Sequence, residues 1–154
     1  MWKVATRREM RPLIDGLKGK EAGYKQAYEQ LEQDPCVSYR APSGELRPFA
    51  YRISGRFGEK ICGTHLKRGY RIAFTLADSD DDAYEGIVEI LYVGTRDTRN
   101  RSRDVWDIVH DLFGEPNPRQ DHDKPPCCEN GLPNMSEDEI LEFMNRLRKF
   151  LRGR

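Results

Sequence analysis

Apolar positions along the chain switch between a helical and an alternating rhythm. Trp2 to Thr6 reads as a short strand. Met10, Leu13, Ile14 and Leu17 then follow the i, i+3, i+4, i+7 spacing of a helix with one buried face. Pro12 falls in its first turn, where the missing N–H is not needed. Gly16, Gly19 and Gly23 predict a break near residues 18–20. A second helix runs from about Glu21 to Gln33, with Tyr24, Tyr28 and Leu31 on one face, and Asp34-Pro35 ends it. Pro42, Gly44 and Pro48 make residues 36–48 a loop.

From Phe49 the text turns to β. Residues 49–54, 60–66, 70–76 and 87–93 are strand candidates, joined by short links that favour antiparallel pairing. The acidic run Asp78 to Asp82 is a solvated turn; it lacks the glycine and closing glutamate of a calcium loop. A third helix spans about Ser102 to Phe113, with Ser102 as cap and Val105, Ile108, Val109 and Leu112 as its apolar stripe. His110 falls off that stripe and reads as a surface residue. Residues 115–134 hold five prolines and no periodicity, so they read as a linker or draped loop. Ser136 to Glu139 is a capping box that launches a helix whose Ile140, Phe143, Met144, Leu147, Phe150 and Leu151 share one face. That face must be buried on this domain, on a second copy or on a partner. The order is α+β: a strand and two helices, a mainly antiparallel sheet of four to five strands, a helix, then a tethered helix, with helices expected over one sheet face. It divides into residues 1–113, a Pro-rich linker 114–135 and a C-terminal helix 136–154.

At 154 residues there is room for one domain with a real core and an appendage. No apolar run approaches the roughly 20 residues needed to span a bilayer. Met1-Trp2-Lys3-Val4 does not open like a signal peptide. A cytoplasmic protein with reduced thiols at Cys36, Cys62, Cys127 and Cys128 is the expectation. The net charge of +0 conceals local segregation. Arg47, Arg52, Arg56, Lys60, Lys67, Arg68 and Arg71 are opposed only by Glu59. Arg96, Arg99, Arg101 and Arg103 are opposed only by Asp97. Cations with interleaved tyrosines suit a polyanion, nucleic acid first. Asp121, His122, Asp123, Cys127, Cys128 and His110 match no standard zinc spacing, and no metal is expected.

Alternation puts Tyr70, Ile72, Phe74 and Leu76 on one face of their strand and Arg71, Ala73 and Thr75 on the other. With the apolar face toward the helices, Arg71 looks out from the uncovered one. A two-residue turn at Lys67-Arg68 sets Thr64 opposite Arg71, so that Lys60, Cys62 and Thr64 share its face. A turn one residue longer brings His65 beside Arg71 instead. Both registers fit the pattern.

Gly69-Tyr70-Arg71-Ile72, followed by Ile90 to Arg96 with Gly94-Thr95-Arg96 at its end, resembles the RelE/ParE superfamily of bacterial toxin–antitoxin toxins. A "GYR" strand and a "vG(x)R" strand end recur there in this order, and Leu31 to Pro35 is similar to the family's helix end. The likeness covers about residues 1–113. It implies a toxin that cuts mRNA in the ribosomal decoding site without a cofactor, by attack of a ribose 2′-OH on its neighbouring phosphate. It also implies a cognate antitoxin as partner, with a homodimer through the C-terminal helix as a further expectation. By resemblance, Arg71 and Arg96 stabilise charge on the phosphate, as fixed cations do where negative charge develops. The lysines of the RelE pattern fall on Cys62 and Thr64, and its later tyrosine falls near Ser102. Lys60 and His65 are carried as substitutes, with Tyr92 and Trp106 behind them. Arg52, Arg56, Lys67, Arg68, Arg99, Arg101 and Arg103 are the expected RNA contacts. The ParE-like branch acts on DNA gyrase instead and has no nuclease activity, and a fold that only binds a protein is the third reading.

Overall fold

The computed structural model describes residues 1–12, 23–53, 60–97, 99–100, 104–112, 114, 125–129, 131 and 133–153, with backbone alone at residue 9. The helix expected over residues 10–17 lies mostly outside them; a 3-10 turn, Arg8–Met10, precedes it. The described elements are β1 (Lys3–Thr6), α1 (Tyr24–Gln33), β2 (Ser38–Arg40), β3 (Leu46–Pro48), β4 (Ala50–Arg52), β5 (Cys62–His65), β6 (Tyr70–Ala77), β7 (Ile87–Thr95), α2 (Val105–Leu112) and α3 (Glu137–Arg152). The class is α+β. A five-stranded sheet runs β1-β7-β6-β5-β4. It is mixed: β1 lies parallel to β7 and the other pairs are antiparallel. Residues 36–48 are not a plain loop. β2 and β3 form a separate hairpin, with Gly44 at φ 87 in its turn.

The longer register is the one adopted. Lys67, Arg68 and Gly69 make the turn between β5 and β6, with Arg68 at φ 58 and Gly69 at φ 80. The usual three-residue loop carries one left-handed residue at its end; this one carries two, Arg68 and Gly69. Leu66 N–H then reaches Tyr70 O, and His65 stands opposite Arg71. The two-residue turn that would have set Thr64 there does not form.

Arg71 does not sit on an uncovered face. Ala73 and Thr75 of the same face are buried. Gly63 faces the Trp106 ring of α2 so closely that a Cβ there would lie 2.4 Å from it, and one on Gly94 would meet Val105 at 3.3 Å. α2 therefore packs on this face as well, and its Arg71 end opens to the cleft. The opposite face, Ile72, Phe74, Leu76, Val88 and Ile90, is fully buried in one cluster with Ala27 and Leu31 of α1. A bulge between Ala73 and Phe74 lets Tyr92 and Ile90 be successive partners, which keeps both faces filled. His110 is buried on α2, not at the surface.

α3 packs back on the same core through Ile140, Phe143, Met144 and Leu147. The expected capping box is present: Ser136 Oγ accepts from Glu139 N–H, and Glu139 accepts from Ser136 N–H. Arg7 links Glu89 of β7 to Glu137, and Lys60 pairs with Glu139. The segment before α3 lies along the outer edge of β4. Arg52 N–H donates to Pro125 O, and Cys127 N–H donates to Ala50 O. An open edge strand is thereby closed against other chains.

The cysteines are not reduced thiols. Cys36 bonds to Cys128 and Cys62 to Cys127, so adjacent residues of the strap are stitched to two separate parts of the chain. Sequence separations of 92 and 65 residues make each bridge worth about 4 to 5 kcal/mol on a chain-entropy account. The second to close adds less, since only the chain between Cys36 and Cys62 remains to be restrained. Cys36 is exposed, whereas Cys62 and Cys127 are buried.

Two predictions follow from this stitching and docking. Stepwise reduction by a dithiol, with alkylation of freed thiols, labels Cys36 and Cys128 before Cys62 and Cys127, because reductant reaches the outer bridge first; the reverse order contradicts the burial argument. The second concerns acid. Burial pushes the Glu139 carboxyl up, but the Lys60 ammonium and the Ser136 N–H and hydroxyl pull harder and hold it below the ordinary glutamate value. A carboxyl lowered on folding contributes stability above its unfolded pKa and loses it as pH falls through the folded one. Glu139→Gln keeps the capping box and removes the charge. It lowers the Tm at neutral pH and flattens the fall of Tm with acid; a curve parallel to the parent's shows the pair is idle.

Candidate functional site

An open cleft of about 690 Å³ lies at the end of the sheet where β5, β6 and β7 meet the β2–β3 hairpin and α2. Its lining includes His65, Arg71, Arg96, Tyr51, Trp106 and Arg47. The ladder explains why the first two meet. His65 stands directly opposite Arg71, and Arg71 directly opposite Gly94, whose missing side chain lets Val105 and the Tyr92 ring pack close to the strand. Arg96 enters from just past β7, where its N–H donates to Gly69 O and ties the strand end to the turn.

The two arginines are held differently. Arg96 Nη1 donates to Asp104 Oδ2 at 3.0 Å, and Asp104 is fully buried. The same carboxylate accepts Asp97 N–H at 2.7 Å and the N–H groups of Trp106 and Asp107. Asp104 thus caps α2 and orients Arg96 at once. A buried carboxylate that accepts several donors is well satisfied, and removing its cation would leave a costly charge. Among the described residues Arg71 donates only to the carbonyl of its neighbour Tyr70, and no carboxylate pairs with it. Its charge is therefore available to a bound anion.

His65 is exposed, and its ring meets Tyr51 edge-on with centroids 5.1 Å apart. Tyr51 in turn meets the Trp106 ring at 6.4 Å. Aromatic surfaces thus stand beside two guanidinium groups and an imidazole. Guanidinium groups hold phosphate through paired donors, aromatic faces hold bases, and imidazole exchanges protons near neutral pH. Among the described residues no His, Cys, Asp and Glu cluster has the form of a metal site.

Other expected site residues lie elsewhere. Lys60 is drawn to Glu139 of α3 and does not line the cleft. Arg52 points its guanidinium at the carbonyls of Cys127, Glu129 and Gly131, holding the strap. Lys67 and Arg68 are exposed on the turn beyond His65, and Arg99 is exposed past Arg96. Arg56, Arg101 and Arg103 lie outside the described residues, as do Ser102 and the 121–123 Asp-His-Asp run. Asp104 was missed, although an Asp immediately before the stripe that begins at Val105 is an N-cap signal. The hairpin residues Tyr39 and Arg47 were missed as cleft walls, because two prolines and a glycine made their segment read as loop.

No helix of the described residues is long and apolar enough to cross a membrane. Comparison with protein-family models, with curated proteins and with solved structures finds no match to this chain.

Proposed function

We propose that the chain is a RelE-like toxin of a toxin–antitoxin module, an endoribonuclease that cuts mRNA on the ribosome and is held in check by a cognate antitoxin. The observation that carries the reading is the meeting of His65, Arg71 and Arg96 in one cleft. Two of these are the arginines of the "GYR" and "vG(x)R" strings, and the third is a proton-exchanging group directly across the ladder from the first. The parallel pairing of the first strand with the last supports the same element order.

In this reading a single-stranded backbone lies across the cleft. The ribose 2′-oxygen bonds to the adjacent phosphorus as its proton passes to the His65 imidazole. The bond from phosphorus to the 5′-oxygen breaks, and that oxygen takes a proton from solvent. The products carry a 2′,3′-cyclic phosphate and a 5′-hydroxyl. Arg71 neutralises charge that grows on the non-bridging oxygens, and Arg96, fixed by Asp104, adds a pre-oriented cation. The partly exposed Tyr51 ring, backed by the buried Trp106, gives a neighbouring base an apolar surface.

The work is then done in the cytoplasm, a reducing compartment. The reading therefore requires the cleft to survive the opening of both disulfides. The test is induced expression in a bacterium with mapping of mRNA ends. The expected result is growth arrest, with translated messages cut inside codons to leave 5′-hydroxyl ends. Arg71→Ala and His65→Ala each lower cutting by on the order of 10²-fold. Intact messages sink the nuclease reading, and DNA-damage signalling in their place points to the gyrase branch. Harmless expression, with Arg71→Ala indistinguishable from the parent, leaves a protein that only binds.

A further inference from the structure

The β2–β3 hairpin stands outside the main sheet and forms one wall of the cleft. Tyr39 of β2 is directly opposite Arg47 of β3. Side chains so paired share one face of the ribbon, about 4.5–5.5 Å apart at Cβ, and both line the cleft that holds His65 and Arg71. Tyr39 is 53% exposed, and among the described residues its ring and hydroxyl have no partner. Arg47 is also exposed; it lies 3.6 Å from Glu45, itself at the surface, a pairing worth little in water.

A hairpin of two three-residue strands is marginal on its own, yet this one closes its tip with its own bonds and is anchored at its base. Arg40 Nη1 donates to Gly44 O, Ala41 N–H to Glu45 O and Gly44 N–H to Ala41 O across the turn. Phe49 N–H donates to Val37 O at the base, Thr64 Oγ1 donates to Phe49 O, and the Cys36–Cys128 bridge holds the foot. A flat aromatic ring and a guanidinium are thus presented side by side on a held backbone, toward a cleft with further cations on its floor.

Resting on the nuclease reading above, we propose that this hairpin is a nucleotide-reading arm. Tyr39 stacks on one unpaired base of a single-stranded RNA, and Arg47 takes the phosphate attached to it. The strand then continues onto Arg71 and His65. The arm selects single strands, because a base inside a duplex offers no free face to a tyrosine. An acidic peptide would use Arg47 but gain nothing from the ring of Tyr39.

The experiment is fluorescence anisotropy with a short, unstructured, labelled RNA carrying 2′-O-methyl groups, which bind but cannot react, titrated with the full chain at several salt concentrations. Tyr39→Ala weakens binding on the order of tenfold, whereas Tyr39→Phe, which keeps the ring, stays within about twofold of the parent. Arg47→Ala weakens binding and lowers the salt slope by roughly one phosphate contact. Circular dichroism checks that these exposed substitutions leave the fold intact. The arm is overturned if Tyr39→Ala and Arg47→Ala bind like the parent while Arg71→Ala does not, an outcome that spares the cleft. It is equally overturned if a duplex of the same sequence binds as tightly, or if a polyglutamate peptide binds with the same dependence on Tyr39. A parent protein that holds no single strand also overturns it, and mapping of mRNA ends then judges the nuclease reading separately.

Discussion

The turn between β5 and β6 spends three residues, Lys67, Arg68 and Gly69, and the make-up of the cleft follows from that count. Side chains alternate with a period of two along a strand, so one residue more or fewer in a turn moves a whole strand's side chains to the other face. With three, His65 and Gly63 share the face of Arg71 and Ala73. With two, Thr64 and Cys62 would take those places, and the imidazole would point into the core. Two consecutive left-handed residues make the longer turn feasible: Gly69 adopts φ 80 without cost, and Arg68 accepts φ 58 at the price of mild strain. The same register buries Cys62 on the opposite face and puts Gly63 under Trp106.

That placement explains why the sheet is covered on both sides and still has an opening. A Gly63-Ala73 floor lets the Trp106 ring come down onto the strands, and Gly94 lets Val105 do the same one step along. Small residues at a helix–sheet contact allow close approach. Arg71 and His65, long and polar, stop that approach and prop the end open. The cleft is thus the place where the floor changes from small residues to large polar ones. The strap and its disulfides act at the other margin, closing the β4 edge and fixing the run into α3. The apolar face of α3 is spent on this chain's own core.

Much of this was readable from the residues. The four main strands, α1, α2, the capping box at Ser136 and the apolar face of α3 all follow from periodicity and cap chemistry, which are local. What failed was non-local or marginal. The parallel pairing of β1 with β7 joins residues far apart in the chain, and nothing near Lys3 announces it. The β2–β3 hairpin is too short to alternate visibly between Pro42 and Pro48. The cysteines carry no spacing that distinguishes idle thiols from bridges, because the proximity of Cys36 to Cys128 exists only once α1 and the strap are in place. Arg52 and Lys60 looked like members of a basic surface. A linear charge count cannot see that backbone carbonyls and a glutamate from the last helix are waiting for them.

The two arginines of the cleft share the work unequally, and the reason is electrostatic. Arg96 is bound to a buried carboxylate that also caps a helix, so its position is fixed in advance but its charge is already paired. Arg71 meets no carboxylate among the described residues, and a neighbouring carbonyl orients it. A cation whose charge is unanswered gains most from an incoming anion, whereas a clamped one costs least to organise. An anion entering this cleft would therefore gain most from Arg71 and take its alignment from Arg96. Asp104, by holding Arg96 and the start of α2 together, couples the placement of that guanidinium to the seating of Trp106. Any change that shifts the helix start is felt at the guanidinium, and any change at the guanidinium is felt in the aromatic wall.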